Sequence, residues 1–233
     1  MDKKKLVKNI FLCLTGPKEH FLKQLKEVEE YKITEVCVFL TFLNPEQRKE
    51  IYKLLLKSCI KNIPLVHIRH DMVNEEIEFF IKNFNTKYFN THEESFDEKE
   101  KKLGFLYTEK WKKHYDKLLV ELRYRNSDFK NLDMKKIGGF CIDLSHFKAA
   151  EDRKTTEYNF IMQYKTNKNL FVANHLNGYD LKKKLEMHGV KNLSNFDYLK
   201  TIPEFLFGEI ISFEMENSIK EQIEFKKYLV NFL

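Results

Sequence analysis

The chain has 233 residues, of which 42% are hydrophobic and 33% charged, with a formal net charge of +6. That is enough apolar material for one full-sized core, and no window approaches the ~18 uncharged apolar residues of a membrane helix. The lysines are spread over nearly every helical segment instead of forming one stripe, so solvated helix faces account for the positive charge; an anionic substrate such as a sugar phosphate is compatible with it.

Met1-Asp2-Lys3-Lys4-Lys5 is basic, but the apolar stretch after it is broken by Lys8, Asn9 and Lys18. A first strand is expected there, not a signal peptide. Cys13, Cys37, Cys59 and Cys141 lack CxxC spacing and sit in or beside apolar runs. They are expected to be reduced core cysteines of a cytoplasmic protein.

Taken in order, Ile10 to Thr15 predicts strand one, and Glu19 to Glu30 a helix with Phe21, Leu22, Leu25 and Val28 at helical spacing. Glu35 to Phe42 predicts strand two. Asn44-Pro45 then opens a helix with a cap and a proline at its first position, ending near Cys59. Ile63 to Ile68 is strand three, Asn74 to Phe84 a helix, and Lys87 to Asn90 strand four, running into Thr91-His92-Glu93. A charged insertion, Glu94 to Lys117, carries Tyr107 and the single tryptophan, Trp111, as packing residues or as a cover for a site.

Strand five is Leu118 to Leu122, strand six Gly139 to Ile142, and a helix follows from Lys148 to Lys165. Leu170 to Ala173 is strand seven, ending in Asn174-His175, with a polar connection from Leu176 to Val190. Phe196 to Phe207 is expected to be helical, Glu209 to Phe213 is strand eight, and Ser218 caps a last amphipathic helix. Eight strand–helix units of roughly 29 residues fit a (β/α)8 barrel. An open doubly wound sheet is second choice, because no glycine-rich phosphate loop follows strand one. The expected fold is therefore α/β, a single TIM barrel domain over residues 1–233.

Catalytic groups of such a barrel come from the C-terminal ends of its strands. The ionisable residues there are His67 or His70, His92, Glu121, Asp143, His146, His175, Glu186, His188 and Glu214 or Glu216. Singly, a strand-end histidine is a structural residue roughly two times in three, and a strand-end glutamate is as easily an ion-pair partner. Together they demand more. Glu121, Asp143 and Glu214 converging on one axis repel unless a counter-charge lies between them. A divalent cation supplies it, neutral His175 completes a four-ligand set, and this mixture suits zinc, manganese or iron better than calcium. Arg123 and Arg125 can hold a substrate phosphate or carboxylate in a bidentate grip; a surface ion pair with Asp128 or Asp133 explains them equally well. Glu216 is placed to orient a ligand.

Glu121 in LLVELRYRN, Asp143 and His146 in GFCIDLSH, His175 in FVANHLNG and Glu214 in IISFEMENSIKEQ resemble the motifs of the xylose isomerase-like TIM barrels. That superfamily includes sugar isomerases, sugar-phosphate epimerases and endonuclease IV, and the likeness runs from Val66-His67 to the last helix. It implies that Glu121, Asp143, His175 and Glu214 hold a divalent metal, zinc or manganese. By likeness to ketose epimerases, Glu121 and Glu214 are the acid/base pair and His146 contacts substrate; His70, at the end of strand three, is a separate substrate-binding candidate. The reaction implied is an isomerisation or epimerisation of a small sugar or sugar phosphate, by proton transfer next to a metal-bound carbonyl.

The endonuclease IV branch implies instead a zinc phosphoesterase with up to three ions. His67 and His92 then join Glu121 at one ion, and His146 with Glu186 and His188 hold another. Where that branch has glycine-rich signatures, His92 is followed here by Glu-Glu-Ser, Glu121 by Leu-Arg-Tyr-Arg and His175 by Leu-Asn-Gly-Tyr. Isomerisation therefore ranks ahead of abasic-site cleavage, a nucleic-acid partner is not favoured, and no membrane partner is expected.

Overall fold

The computed structural model describes residues 8–92, 109–122 and 134–232. Parallel strands form one nine-segment sheet that closes on itself at eight positions. The first barrel strand is split at Leu12. Its Ile10–Phe11 half pairs with the eighth strand, Ile210–Phe213, and its Cys13–Leu14 half with the second, Cys37–Phe39. The ring continues through Leu65–His67, Tyr88–His92, Leu118–Glu121, Gly139–Asp143 and Phe171–Leu176 as strands three to seven. The expected (β/α)8 barrel is the fold observed.

The period-two alternation of these strands sets up the site. Cys37, Leu65, Leu119, Cys141, Ala173 and Ile210 pack together as an apolar floor inside the barrel. Two residues further along the same strands stand Phe39, His67, Glu121, Asp143, His175 and Ser212, all buried. A layer of polar, ionisable groups thus sits directly on an apolar plug, where any unpaired charge is costly. Among the described residues no helix is long and apolar enough to cross a membrane. All four cysteines are free thiols, and burial pushes Cys37 up to about 12 and Cys141 up to about 11.

The outer layer differs from expectation in three places. The helix predicted from Lys148 is two helices, Leu144–Arg153 and Thr156–Gln163. Lys154 at φ 53° closes the first, and the Thr155 hydroxyl accepts the Tyr158 N–H to start the second. The segment around Pro203 forms 3-10 turns, Leu193–Thr201 and Glu204–Leu206, because proline lacks the N–H that an α-helix needs. Within the insertion, Glu109–Lys117 is also 3-10, and Trp111 is wholly buried and does not line the cavity described below. Tyr107 lies outside the described residues. Gly139 adopts φ +140° with the Leu170 carbonyl 2.6 Å from where a Cβ would sit, so only glycine admits strand six at that point.

The loops at the barrel mouth are tied down by a buried cation. Arg48 is on the helix Pro45–Lys57, which starts with the expected Asn44 cap in a reciprocal bond with Gln47. The Arg48 side chain is 1% exposed. Its Nε and Nη2 donate to the two Glu76 carboxylate oxygens at 2.7 and 3.2 Å, and its Nη1 to Asp71 Oδ1 at 2.9 Å and the Leu43 carbonyl at 3.0 Å. Burial works to raise the Glu76 pKa, but the Arg48 and Tyr52 hydrogen bonds outweigh it and hold the carboxyl below its usual value of 4.5. A depressed carboxyl stabilises the fold above its unfolded pKa and ceases to as the pH falls through the folded one. Glu76→Gln therefore lowers stability in urea by about 3 kcal/mol at pH 7, and the gap from wild type narrows as the pH falls below the unfolded carboxyl value of about 4.3. An equal gap at pH 7 and pH 3 contradicts this.

Candidate metal centre and its cavity

Strand register brings the ionisable residues together. His92 lies opposite Glu121 on neighbouring strands, Asp143 opposite His175, and His67 opposite Asn90. In-register residues of adjacent parallel strands point the same way at about 4.8 Å spacing. Glu121, Asp143, His175 and Glu214 each place a ligand atom within 4.8 Å of the others, and His67, His92 and Glu121 form a second such group. Glu121 belongs to both.

Around Glu121, Oε2 lies 3.0 Å from His67 Nε2, 3.2 Å from His175 Nδ1 and 2.9 Å from Asn90 Nδ2, while Oε1 is 3.8 Å from His92 Nε2. His175 Nδ1 is also 3.1 Å from Glu214 Oε2. Yet His67 Nε2 and both ring nitrogens of His175 are buried without a directed hydrogen bond. The separations are short while the N–H directions miss the oxygens. Ligands held ~2.0–2.2 Å from one tetrahedral cation stand about 3.3–3.6 Å apart, within the range that these spacings straddle. Three carboxylates with imidazole nitrogens around them are a donor set for a divalent transition metal. The residues fit the ion that the sequence led us to expect.

Asp143 divides its two oxygens. Its Oδ1 caps the helix Leu144–Arg153, accepting the Ser145 and His146 N–H groups at 2.9 Å each and the Ser145 hydroxyl at 3.0 Å. Its Oδ2 accepts from Asn177 Nδ2 at 3.0 Å and stands 3.8 Å from His146 Nε2. Capping fixes His146 in the first helical turn. The His146 ring is 6.2 Å from that of His188, whose Nδ1 faces the Glu214 carbonyl at 3.2 Å. Glu186 lies on the small hairpin strand Leu185–Met187, paired with Gly178–Asp180. His146, Glu186 and His188 are thus neighbours of the centre, but they fall in neither convergent group among the described residues. Phe39 packs on the His67 and His175 rings at centroid distances of 5.5 and 4.9 Å, fixing their planes.

The acids and imidazoles shift one another's titration. Burial raises the pKa of Glu121, but His175 and His92 outweigh it and hold the carboxyl well below the usual range. Glu214, pulled the same way by His175 against burial, drops to about 2. Burial lowers His175, but Cys141 and the two glutamates carry it well above the ordinary imidazole value. Burial raises Asp143, helped by Glu214 and Glu121 and opposed by His146. His175 is the group through which both glutamates are offset, and the four residues are a set that could hold a divalent cation.

Above this layer opens a cavity of about 500 Å³, lined by Thr15, Thr41, Arg69, His92, Glu214 and their neighbours. His67, His70, His188 and Glu216 also face it. The alternatives left open by sequence separate here: His67 touches Glu121 while His70 is on the cavity wall, and Glu214 touches His175 while the Glu216 N–H donates to the His188 carbonyl at 2.8 Å. His114 instead meets Glu78 at 3.2 Å in the outer layer. Arg123 and Arg125 lie outside the described residues. Sequence reasoning missed Asn90 and Asn177, the amides that hold Glu121 and Asp143; Asn90 is inside strand four and Asn177 just after strand seven, and a search for ionisable strand ends passes over both.

Barrel, centre and cavity together define an α/β barrel with an acid–imidazole cluster at the C-terminal ends of its strands, a set that could hold a metal ion. No protein-family model matches the chain, and no curated protein matches its sequence. Among solved structures it is similar to one described as a D-tagatose 3-epimerase-like protein, with a TM-score of 0.50 and 10% identity over 95% of this chain and 96% of that one. At that identity the likeness bears on the fold.

Proposed function

We propose that the chain is a divalent-metal-dependent epimerase or isomerase of a small ketose or ketose phosphate, with the whole barrel as its one catalytic domain. The observation that carries this reading is the convergence of Glu121, Asp143, His175 and Glu214 beneath an open cavity; the epimerase-like neighbour supports it at the level of fold. Those four residues would hold the ion, which when bound polarises a carbonyl and stabilises the negative charge that develops on its oxygen.

The chain's own residues do the rest. Glu121 and Glu214 are ionised at neutral pH, the state in which a carboxylate accepts a proton, and both touch the same His175 nitrogen. They stand three strands apart around the ring of eight, so they reach a bound substrate from different sides without being diametrically opposed. One removes the proton beside the carbonyl and the other returns it. His146, whose pKa burial lowers but Asp143 and the glutamates carry up, is the group we assign to donate a hydrogen bond to a substrate oxygen. Asn90 and Asn177 keep Glu121 and Asp143 aimed.

The test is proton exchange. A panel of ketoses and ketose phosphates is incubated with manganese- or zinc-loaded protein in deuterated water, and deuterium entering carbon beside the carbonyl is followed by NMR. A second reading, a multinuclear zinc phosphoesterase, is favoured by one observation, that Glu121 is shared between two ligand groups as a bridging carboxylate is in two-metal sites. Cleavage of a phosphodiester by the zinc-loaded protein, with no exchange on any sugar, decides for it.

A further inference from the structure

We propose that Arg69 binds an anionic group of the substrate, a phosphate or a carboxylate, at the rim of the cavity. This rests on the cavity being the substrate site. In strand three, Leu65 lies in the apolar floor and His67 in the layer above it. The ladder continues past the strand end through Ile68, whose N–H donates to the Asn90 carbonyl at 2.9 Å, so the alternation carries Arg69 into the next layer. It lines the cavity there with His92, Glu214, Thr15 and Thr41. Two extended residues reach at most ~7 Å, so a small sugar held at the centre has its far end within range of this guanidinium.

Beside Arg69 stands a relay of charges that ends on the buried Arg48. Its Nε lies 3.4 Å from Asp71 Oδ2 but is not directed at it, and its side chain is 32% exposed. Asp71 Oδ1 is meanwhile held by the buried Arg48 at 2.9 Å. Arg48 also grips the Leu43 carbonyl, so one cation fixes both the loop carrying Thr41 and Phe42 and the loop carrying Arg69 and His70. Arg48 and Asp71 are positioning residues, and Arg69 is the donor they present. A guanidinium offers five N–H groups in a planar fork suited to an oxyanion, and Arg69 carries that fork as a residue of the cavity wall. The chain's net charge of +6 favours arrival of an anion.

Inorganic phosphate and, separately, acetate are titrated by calorimetry into protein stripped with chelator and into zinc-loaded protein. The expected result is binding in the metal-free form that weakens by about tenfold or more in Arg69→Gln and is retained in metal-free Glu121→Gln. The tighter of the two anions tells a phosphorylated from a carboxylated substrate. Unchanged affinity in Arg69→Gln overturns the assignment. So does binding that needs zinc and vanishes in Glu121→Gln, because the anion then sits on the metal. Phosphate should also shield Arg69 of the wild-type chain from phenylglyoxal, read by mass spectrometry, and no shielding overturns the assignment without any variant. Failure of zinc to bind sinks the metal centre while leaving the phosphate result to stand or fall by itself.

Discussion

Glu214→Gln is expected to lose deuterium exchange by 10²- to 10⁴-fold, the usual range for removing a positioned acid or base, and Glu121→Gln by at least as much. The two should differ in kind. Glu214 contributes a carboxylate that is part-exposed to the cavity and touches one imidazole, so its amide keeps most of the cluster in place. Glu121 is the residue around which His67, His175 and Asn90 are arranged and is common to both ligand groups. Its amide turns a donor toward imidazoles that need an acceptor, so metal content falls along with rate. Exchange measured beside elemental analysis separates the cases: low rate with retained metal for Glu214→Gln, low rate with lost metal for Glu121→Gln. Full exchange with full metal in both variants would remove the proposed acid/base pair.

The second large effect is on stability. A ligand that binds only the folded state adds RT ln(1 + [L]/Kd), about 2.7 kcal/mol at a hundredfold excess over Kd. For a chain of this size that is a rise in Tm of about 5–10 °C. Zinc or manganese should produce it in the wild type, and His175→Ala should abolish it, because His175 Nδ1 is the atom that touches both glutamates. The same variant loses the imidazole that both glutamates touch, so its metal-free form also melts lower than the wild type. Equal zinc-induced shifts in the wild type and His175→Ala would place the ion elsewhere.

How much of this was legible beforehand follows from what each feature depends on. Glu121, Asp143 and His175 could be found because an ionisable residue at the end of an apolar run is conspicuous, and the barrel then carries every such end to one face. The choice of His67 over His70 follows from the period of two once Leu65 is known to face the barrel interior, a fact that requires the pairing of strands. Asn90 and Asn177 act across strands, through registers no single segment contains. Arg69 lies one layer above His67 and looks in sequence like part of a solvated HIRHD turn; only its place in the cavity wall, beside the Arg48–Asp71 pair, marks it out. The D-x-x-H spacing picked out His146 as a candidate, and Asp143, capping its helix, sets that histidine beside the convergent group. The break at Lys154 and the 3-10 turns near Pro203 are local choices between competing backbone hydrogen bonds, and helical periodicity does not register them.

The central claim is that Glu121, Asp143, His175 and Glu214 surround one divalent cation. Crystals grown with zinc and measured on both sides of its absorption edge test it most directly. The account predicts an anomalous peak within bonding distance of those four side chains, with any second peak at His67, His92 and Glu121. Zinc density found only at other positions, with the four side chains turned away from one another, would contradict it.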